Sequence, residues 1–509
     1  MKFSVIQTKG FDCIQFPDHL PHIEELIIRA AQERPDMIVL PETTVPGYYI
    51  SPDYQGCVDI LSDESWKERI AALARQYSVY IAIGYIKRCP EGLYNRAIVF
   101  SKDGSVAAET SKSNMWHIDR DLFVPGRDYV VFDTEYGRIG LLICADARIP
   151  EIARILKLKG AQIIVDTANL VSNAPDVEKL TNQQLQFIIA SRAAENRIPI
   201  VLSNKCGCEY DAVFFAGQSF AVDRNGNLIA QASIAKEEIL SFEVELSCDG
   251  IYPARRPELY SILTAKVTDT PAYAITKKSY RLEDIRSYAA LSKFSAADSS
   301  EYLEKARREL GKARTLKVSL ALLPTCPDTL GKDDIRALQK ELPDGLGAIL
   351  SSRGPEGWRA YFLTDSSSEE VLPTHIEGRE ADIQLIQHGG QSYGFIFDDE
   401  VMTPELARCM MLKGADAVIW LNKKASSTQT RIIRTRAAEN KLFTIDISME
   451  GRSFAVNPDG AIYSSTFADQ EMTITFMIDA ALCRNKTVVP GTEIVEGRIP
   501  EAYTRLLEN

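Results

Sequence analysis

The chain has 509 residues, 45% of them hydrophobic and 25% charged, a length that predicts about two to four domains and a composition ordinary for a globular protein. Its net charge of −12 argues against nucleic acid or an anionic membrane surface as the main partner. The opening MKFSVIQTKGF lacks a signal-peptide core and no apolar run reaches membrane-span length, so a cytoplasmic protein is expected.

In chain order, KFSVIQ from Lys2 alternates as a strand, and a helix with Ile23, Leu26 and Ile27 on one face follows from about Pro21 to Glu33. MIVLPE is a buried strand ending in Pro41 and Glu42. A second helix is expected from about Glu64 to Tyr77, then the strands VYIAIGYI and NRAIVF, the latter closing at a turn on Asp103-Gly104. VAAETS leads to Lys112, and Trp116 to Gly126 reads as a loop. VVFDTEYGRIGLLIC is a hairpin that ends in Cys144. Beyond it come a helix that starts at Pro150 and ends at Gly160, the strand AQIIV, a helix from about Thr181 to Asn196, the strand IPIVLSN, and a hairpin turning at Asn225-Gly226.

The pattern then recurs. SRAAEN at 191–196 matches TRAAEN at 435–440, GQSFAVDRNG at 217–226 matches GRSFAVNPDG at 451–460, and PEIARILKLKGAQIIV is echoed by PELARCMMLKGADAVI from Pro404. A whole domain is duplicated. The expected division is a catalytic domain 1–262, a partly helical connector 263–316, and a second copy 317–509.

Three residues of the first copy sit at strand ends, where an α/β sheet gathers its chemistry: Glu42, Lys112 and Cys144. A buried cysteine alone is ordinarily core, a glutamate alone a turn carboxylate, and a lysine alone a surface charge. Together they are complementary. The thiol can attack a carbonyl or nitrile carbon, the carboxylate can take its proton, and the ammonium can stabilise the oxyanion, with the Ala145 N–H as a second donor. No histidine pair has metal-ligand spacing, so neither a metal nor an organic cofactor is expected. Ten cysteines without paired spacing fit reduced thiols, with Cys206 and Cys208 structural.

LPETTVPGY around Glu42, Lys112, and GLLICADARIPE around Cys144 resemble the signatures of the nitrilase, or carbon–nitrogen hydrolase, superfamily. The resemblance implies an α/β fold, an αββα sandwich, here duplicated in tandem as a pseudo-dimer. It makes Glu42 the general base and acid, Lys112 the oxyanion-stabilising residue and Cys144 the nucleophile of a thioester pathway. Asp119 falls where many amidase members carry a second glutamate and becomes an auxiliary residue. Cys144-Ala145-Asp146 resembles the amidase and carbamoylase branches more than the nitrile-cleaving one. Arg148 fits either a substrate carboxylate or a salt bridge to Glu151, Asp146 or Glu195, and Ala145 and His117 are expected to line the pocket. In the second copy the same alignment puts Asp398 at the cysteine, Ser352 at the glutamate and the region of His375 or Ile376 at the lysine. That copy therefore reads as trimmed, catalytically inactive and a scaffold. The expected function is hydrolysis of a small amide or N-carbamoyl compound. A nitrilase, or a binding protein on the same scaffold, is the alternative.

Overall fold

Strands buried along their whole length, such as Ile163–Thr167 and Leu320–Cys326, need a covering layer on both faces. The chain supplies those layers twice. Described are residues 1–172, 180–281, 285–374 and 382–508 of a computed structural model. Met1–Tyr252 with Val489–Thr492 and Glu501–Leu506 form one unit, and Pro253–Val488 with Glu493–Pro500 and the last residues form the other.

In the first unit one six-stranded sheet runs in the order Glu238–Glu243, Lys2–Gln7, Met37–Val39, Tyr80–Cys89, Gly92–Phe100, Val106–Ser111. The second runs Leu228–Gln231, Phe220–Val222, Ile200–Ser203, Ile163–Thr167, Gly137–Ile143, Val131–Thr134. Alternation along each strand divides its side chains between two cores. Phe3, Val5, Met37 and Val39 meet Ile139, Leu141 and Val165 between the sheets. Ile6, Ile38, Ile81 and Ile83 point the other way, under the helices Phe16–Gln32 and Ser65–Tyr77. The helices Pro150–Leu158 and Ile189–Asn196 pack on the second sheet, completing the αββα order. Each such buried aliphatic side chain contributes about 1.5–3 kcal/mol. The inner strands of both sheets are parallel, and Glu42 and Cys144 each follow the carboxyl end of one.

The repeated RAAEN motif has the same physical purpose in both units. Arg192 donates to the carbonyls of Ala147 and Arg148 at 2.8 and 3.0 Å and pairs with Glu195 at 2.7 Å. Arg436 donates to the Val401 carbonyl at 3.1 Å and pairs with Glu439 at 2.7 Å. Both arginines tie a helix to the tight turn that follows the Cys144 or Asp398 position. The repeated hairpin glycine is equally constrained: Gly226 has φ +75°, and a Cβ there would lie 2.2 Å from the Ala190 carbonyl oxygen.

The second unit corrects several expectations. Its first sheet runs Ser368–Val371, Gly357–Leu363, Gly347–Gly354, Leu320–Cys326, Arg286–Lys293, Met472–Asp479. The supposed connector therefore holds a central strand, Arg286–Lys293, and the helix Ser299–Thr315, whose Tyr302, Ala306 and Leu310 cover the sheet. The helix Lys332–Gln339 and the strand Gly347–Gly354 complete the copy read as trimmed, so it has the full sandwich. Strand order makes Leu320–Cys326 the counterpart of Met37–Val39, which moves the position matching Glu42 from Ser352 to Thr325. Register between Gly357–Leu363 and Ser368–Val371 puts Pro373 at the lysine position, while His375 and Ile376 lie outside the described residues. Asp398 does match Cys144, with φ 41° against 53°.

Among the described residues no helix is long and apolar enough to cross a membrane. The reading of all cysteines as reduced is overturned by a disulfide between Cys13 and Cys57, whose Cα atoms lie 6.2 Å apart. Cys89, Cys144, Cys206, Cys208, Cys248, Cys326, Cys409 and Cys483 form no disulfide. Thiol titration of the denatured, unreduced protein should thus find these eight groups, rising to ten after reduction. Ten before reduction would contradict the bridge.

Candidate active site

Glu42 follows the strand Met37–Val39 and is fully buried. Its Oε1 accepts from Lys112 Nζ at 2.7 Å and from Asn95 Nδ2 at 2.6 Å. Its Oε2 is buried with no hydrogen-bond partner among the described residues. The backbone just beyond is strained: Thr43, a β-branched residue, has φ 39°. Lys205 holds that turn by donating to the Thr43 carbonyl at 3.0 Å, and Asn169 Nδ2 donates to Thr43 Oγ1 at 2.8 Å. Lys205 also pairs with buried Glu209, which accepts the backbone N–H groups of Tyr48 and Tyr49 at 2.9 and 2.7 Å.

Lys112 follows the strand Val106–Ser111, with its ammonium fixed between two carboxylates. Opposite Glu42 stands Asp119, whose Oδ2 lies 2.6 Å from Nζ. Asp119 begins a short helix, Asp119–Leu122, inside the segment read as a loop. Its carboxyl also accepts from Tyr48 O–H at 2.9 Å and from the Trp116 backbone at 3.0 Å. Burial pulls the Lys112 ammonium down, but Asp119 and then Glu42 outweigh it and hold the pKa well above the usual lysine value. Burial pushes Asp119 up, against the pull of Lys112.

Cys144 follows Gly137–Ile143 on a turn with φ 53°. Its N–H donates to Asp166 Oδ1 at 2.7 Å and its carbonyl accepts from Gln184 Nε2 at 2.9 Å. The Asn169 backbone N–H reaches the thiol. Burial and then the Glu42 charge push the thiol well above its ordinary range, while Lys112 pulls it down. Burial and the Glu42 charge thus both favour the thiol over the thiolate. Ala145 is buried in the turn Cys144–Arg148. At that helix start its N–H has no intrahelical acceptor. Asp146, pushed up to about 7 by burial, accepts the N–H groups of Ser113 and Asn114 at 3.0 and 2.7 Å. It thereby ties the end of the Lys112 strand to the Cys144 turn.

The structure thus gathers Glu42, Lys112, Asp119 and Cys144. Arg148 is buried, donates to Gln183 Oε1 at 2.8 Å, and stacks its guanidinium 4.9 Å from the Trp116 ring centre. Glu195, one of its expected partners, pairs with Arg192. His117 is exposed, with φ 51°. Sequence reasoning missed Tyr48, Asn95, Asp166, Asn169, Lys205 and Glu209. Only a fold could have found them, since each reaches the site across a long sequence separation.

The second unit fills the equivalent space. Trp358, at the position of Asn95, directs its indole N–H onto Asp398 Oδ2, and Trp420, at the position of Asp166, donates to the Asp398 carbonyl at 2.9 Å. The Lys423 N–H faces Asp398 Oδ1 at 3.3 Å, as the Asn169 N–H faces the Cys144 thiol.

The model of one family, carbon-nitrogen hydrolase, matches residues 4–249 and 346–486. The citrullinase of Francisella tularensis is 28% identical over 286 residues, which cover 52% of this chain and 99% of that protein. The N-carbamoylputrescine amidase of Solanum lycopersicum is 26% identical over 269 residues, 47% of this chain and 87% of that one. Among solved structures, an amidase from Nesterenkonia sp. is 22% identical with a TM-score of 0.42, covering 51% of this chain and 94% of that chain.

Two substitutions test the geometry. A Cβ on Gly84 would lie 2.4 Å from Glu42 Cα and 2.6 Å from the Pro41 carbonyl oxygen. Gly84→Ala should thus cost activity about 100-fold by shifting the carboxylate, with the circular dichroism of the folded chain retained. Asp119→Asn removes the largest of the charges that raise Lys112. The lysine pKa should fall and the alkaline limb of the rate profile should move to lower pH, with kcat down about 100-fold. A full-activity Gly84→Ala protein, or an unmoved limb, would contradict these placements.

Proposed function

The chain belongs to the carbon-nitrogen hydrolase family, and from that premise we propose that its first unit cleaves a small amide or N-carbamoyl compound through a thioester on Cys144. The observation that carries the reading is one buried ammonium, Lys112, 2.7 Å from Glu42 and 2.6 Å from Asp119. A second Glu42 oxygen there is left without a partner among the described residues. In this mechanism the substrate carbonyl binds toward Lys112 and the Ala145 N–H. The Cys144 proton passes to Glu42 Oε2 as sulfur bonds to the carbonyl carbon, and the carbonyl electrons move onto oxygen. Collapse breaks the C–N bond, and Glu42 returns the proton to the leaving nitrogen, which departs as ammonia or an amine. Water, deprotonated by Glu42, then attacks the thioester, the C–S bond breaks and the thiol regains its proton. Asp119 and Tyr48 hold Lys112 in line throughout.

We assign no reaction to the second unit. It carries Thr325, Pro373 and Asp398 in place of the base, cation and thiol, and Trp358 lies against Asp398. A cytoplasmic setting fits the eight cysteines that form no disulfide, while the Cys13–Cys57 disulfide counts against it.

The test is ammonia release by the whole chain and by Cys144→Ala. The panel contains butyramide, ω-amides of dicarboxylic acids, citrulline, N-carbamoylputrescine, N-carbamoyl amino acids and matching nitriles. Release from amides or ureido compounds, abolished in the variant, is the expected result. Residual release by Cys144→Ala would assign activity to the second unit. Release from nitriles alone would move the chemistry to a nitrilase, and silence across the panel would favour a binding protein. Preference for the ω-amides of dicarboxylic acids, lost in Arg148→Met, would give Arg148 the substrate carboxylate.

A further inference from the structure

We propose that Gly491 and Thr492, near the end of the chain, are positioning residues of the first unit's active site: they clamp the turn that carries Asp119. The proposal rests on the reading that Asp119 orients Lys112. The stretch Val489–Thr492 belongs to the first unit although it follows Tyr252 by more than two hundred residues.

The turn from Met115 to Asp119 holds itself only partly. The Asp119 N–H donates to the Trp116 carbonyl at 2.9 Å, and the Trp116 N–H returns to Asp119 Oδ2 at 3.0 Å. Between them His117 sits at φ 51°, a conformation that side-chain-bearing residues avoid. Such a residue persists only where its surroundings over-determine it. The hydroxyl of Thr492 does this from outside. Its Oγ1 accepts the His117 N–H at 2.8 Å and donates to the Met115 carbonyl at 3.4 Å, bridging both sides of Trp116. Gly491 allows the approach: it has φ +80°, and a Cβ on it would come 2.6 Å from the His117 carbonyl oxygen. Thr492 is itself buried. A second C-terminal stretch, Glu501–Leu506, reinforces the same side of the unit. Glu501 pairs with Arg127 at 3.1 Å, and Tyr503 stacks on Tyr129 with ring centres 6.5 Å apart.

The chain of effects runs from the Thr492 hydroxyl to the Trp116–Asp119 turn, and from Asp119 to the Lys112 ammonium. Loosening the turn weakens the largest charge that raises the Lys112 pKa. The consequence is electrostatic as well as steric, which separates a clamp from a filler of space.

The experiment compares Thr492→Val, which keeps the shape and removes the hydroxyl, with Thr492→Ser, which keeps the hydroxyl, in the full chain. Asp119→Asn serves as the reference. The readouts are kcat, KM and the pH profile for the fastest compound of the panel above, with the thermal midpoint as a check on folding. Thr492→Val is expected to lower kcat about tenfold at unchanged KM and to move the alkaline limb to lower pH, the direction of Asp119→Asn. Thr492→Ser should restore both. Wild-type kcat and an unmoved limb in Thr492→Val, with Asp119→Asn shifted, would overturn the clamp and leave the site reading intact. Equal losses in Thr492→Val and Thr492→Ser would also overturn it, since the hydroxyl would then not matter. An unmoved limb in Asp119→Asn would overturn the site reading and the clamp with it.

Discussion

A lysine ammonium with almost no exposure is the constraint on which the first unit depends. Removing an ammonium from water costs several kcal/mol unless charges and hydrogen bonds replace the solvent. Lys112 meets that condition with two carboxylates at 2.7 and 2.6 Å, one from each side. Those carboxylates are themselves buried and need fixed places. Asn95 fixes Glu42 and Tyr48 fixes Asp119. Glu209 and Lys205 hold the turn that bears Tyr48 and Thr43. The absence of a side chain at Gly84 leaves the room that Glu42 occupies. The ion cluster is thus the centre of a network reaching most of the parallel strand ends.

The second unit shows what the fold requires without that cluster. The left-handed turn persists at Asp398, the arginine–glutamate pair persists at Arg436 and Glu439, and the hairpin glycine persists at Gly460. These features satisfy backbone geometry and buried carbonyls, which any sequence in this sandwich must do. The residues of the ion cluster do not persist. Where the first unit places Asn95 and Asp166 around a polar site, the second places the indoles of Trp358 and Trp420, both turned to Asp398. Filling the space with aromatic rings removes the need for an ammonium, and Pro373 stands where Lys112 would be. The two units separate structural from functional constraints within one chain.

That separation also explains what the sequence could reveal. Glu42, Lys112 and Cys144 were legible because each follows a strand-like run, and strand ends converge in an α/β sheet. The RAAEN and hairpin repeats were legible because both copies keep them for backbone reasons. The counterpart of Glu42 was misplaced because LALLP and LGAIL are both short, fully buried strands, and apolar periodicity cannot tell neighbouring parallel strands apart. Strand order, not pattern, separates Thr325 from Ser352. Arg286–Lys293 was hidden among polar residues that flank its buried middle. The Cys13–Cys57 pair depends on a Cα separation no spacing rule supplies. Lys205 and Glu209 look like an exposed i,i+4 pair until both prove to be buried.

The raised pKa of Cys144 bears on how such a site would stay selective. A thiol that were already a thiolate would react with any electrophile that reached it. Here burial and the Glu42 charge favour the proton on sulfur, against the pull of Lys112. The same Glu42 offers a buried oxygen without a partner among the described residues to receive it. On the proposed mechanism, transfer becomes favourable when negative charge appears on the substrate oxygen beside Lys112, because the ammonium then stabilises what the transfer creates. Nucleophile, base and oxyanion donor are then activated by one event, the arrival of a carbonyl in the right place. A site so arranged gives up standing reactivity and gains dependence on geometry, which is why so many of its contacts serve to hold positions rather than to touch substrate.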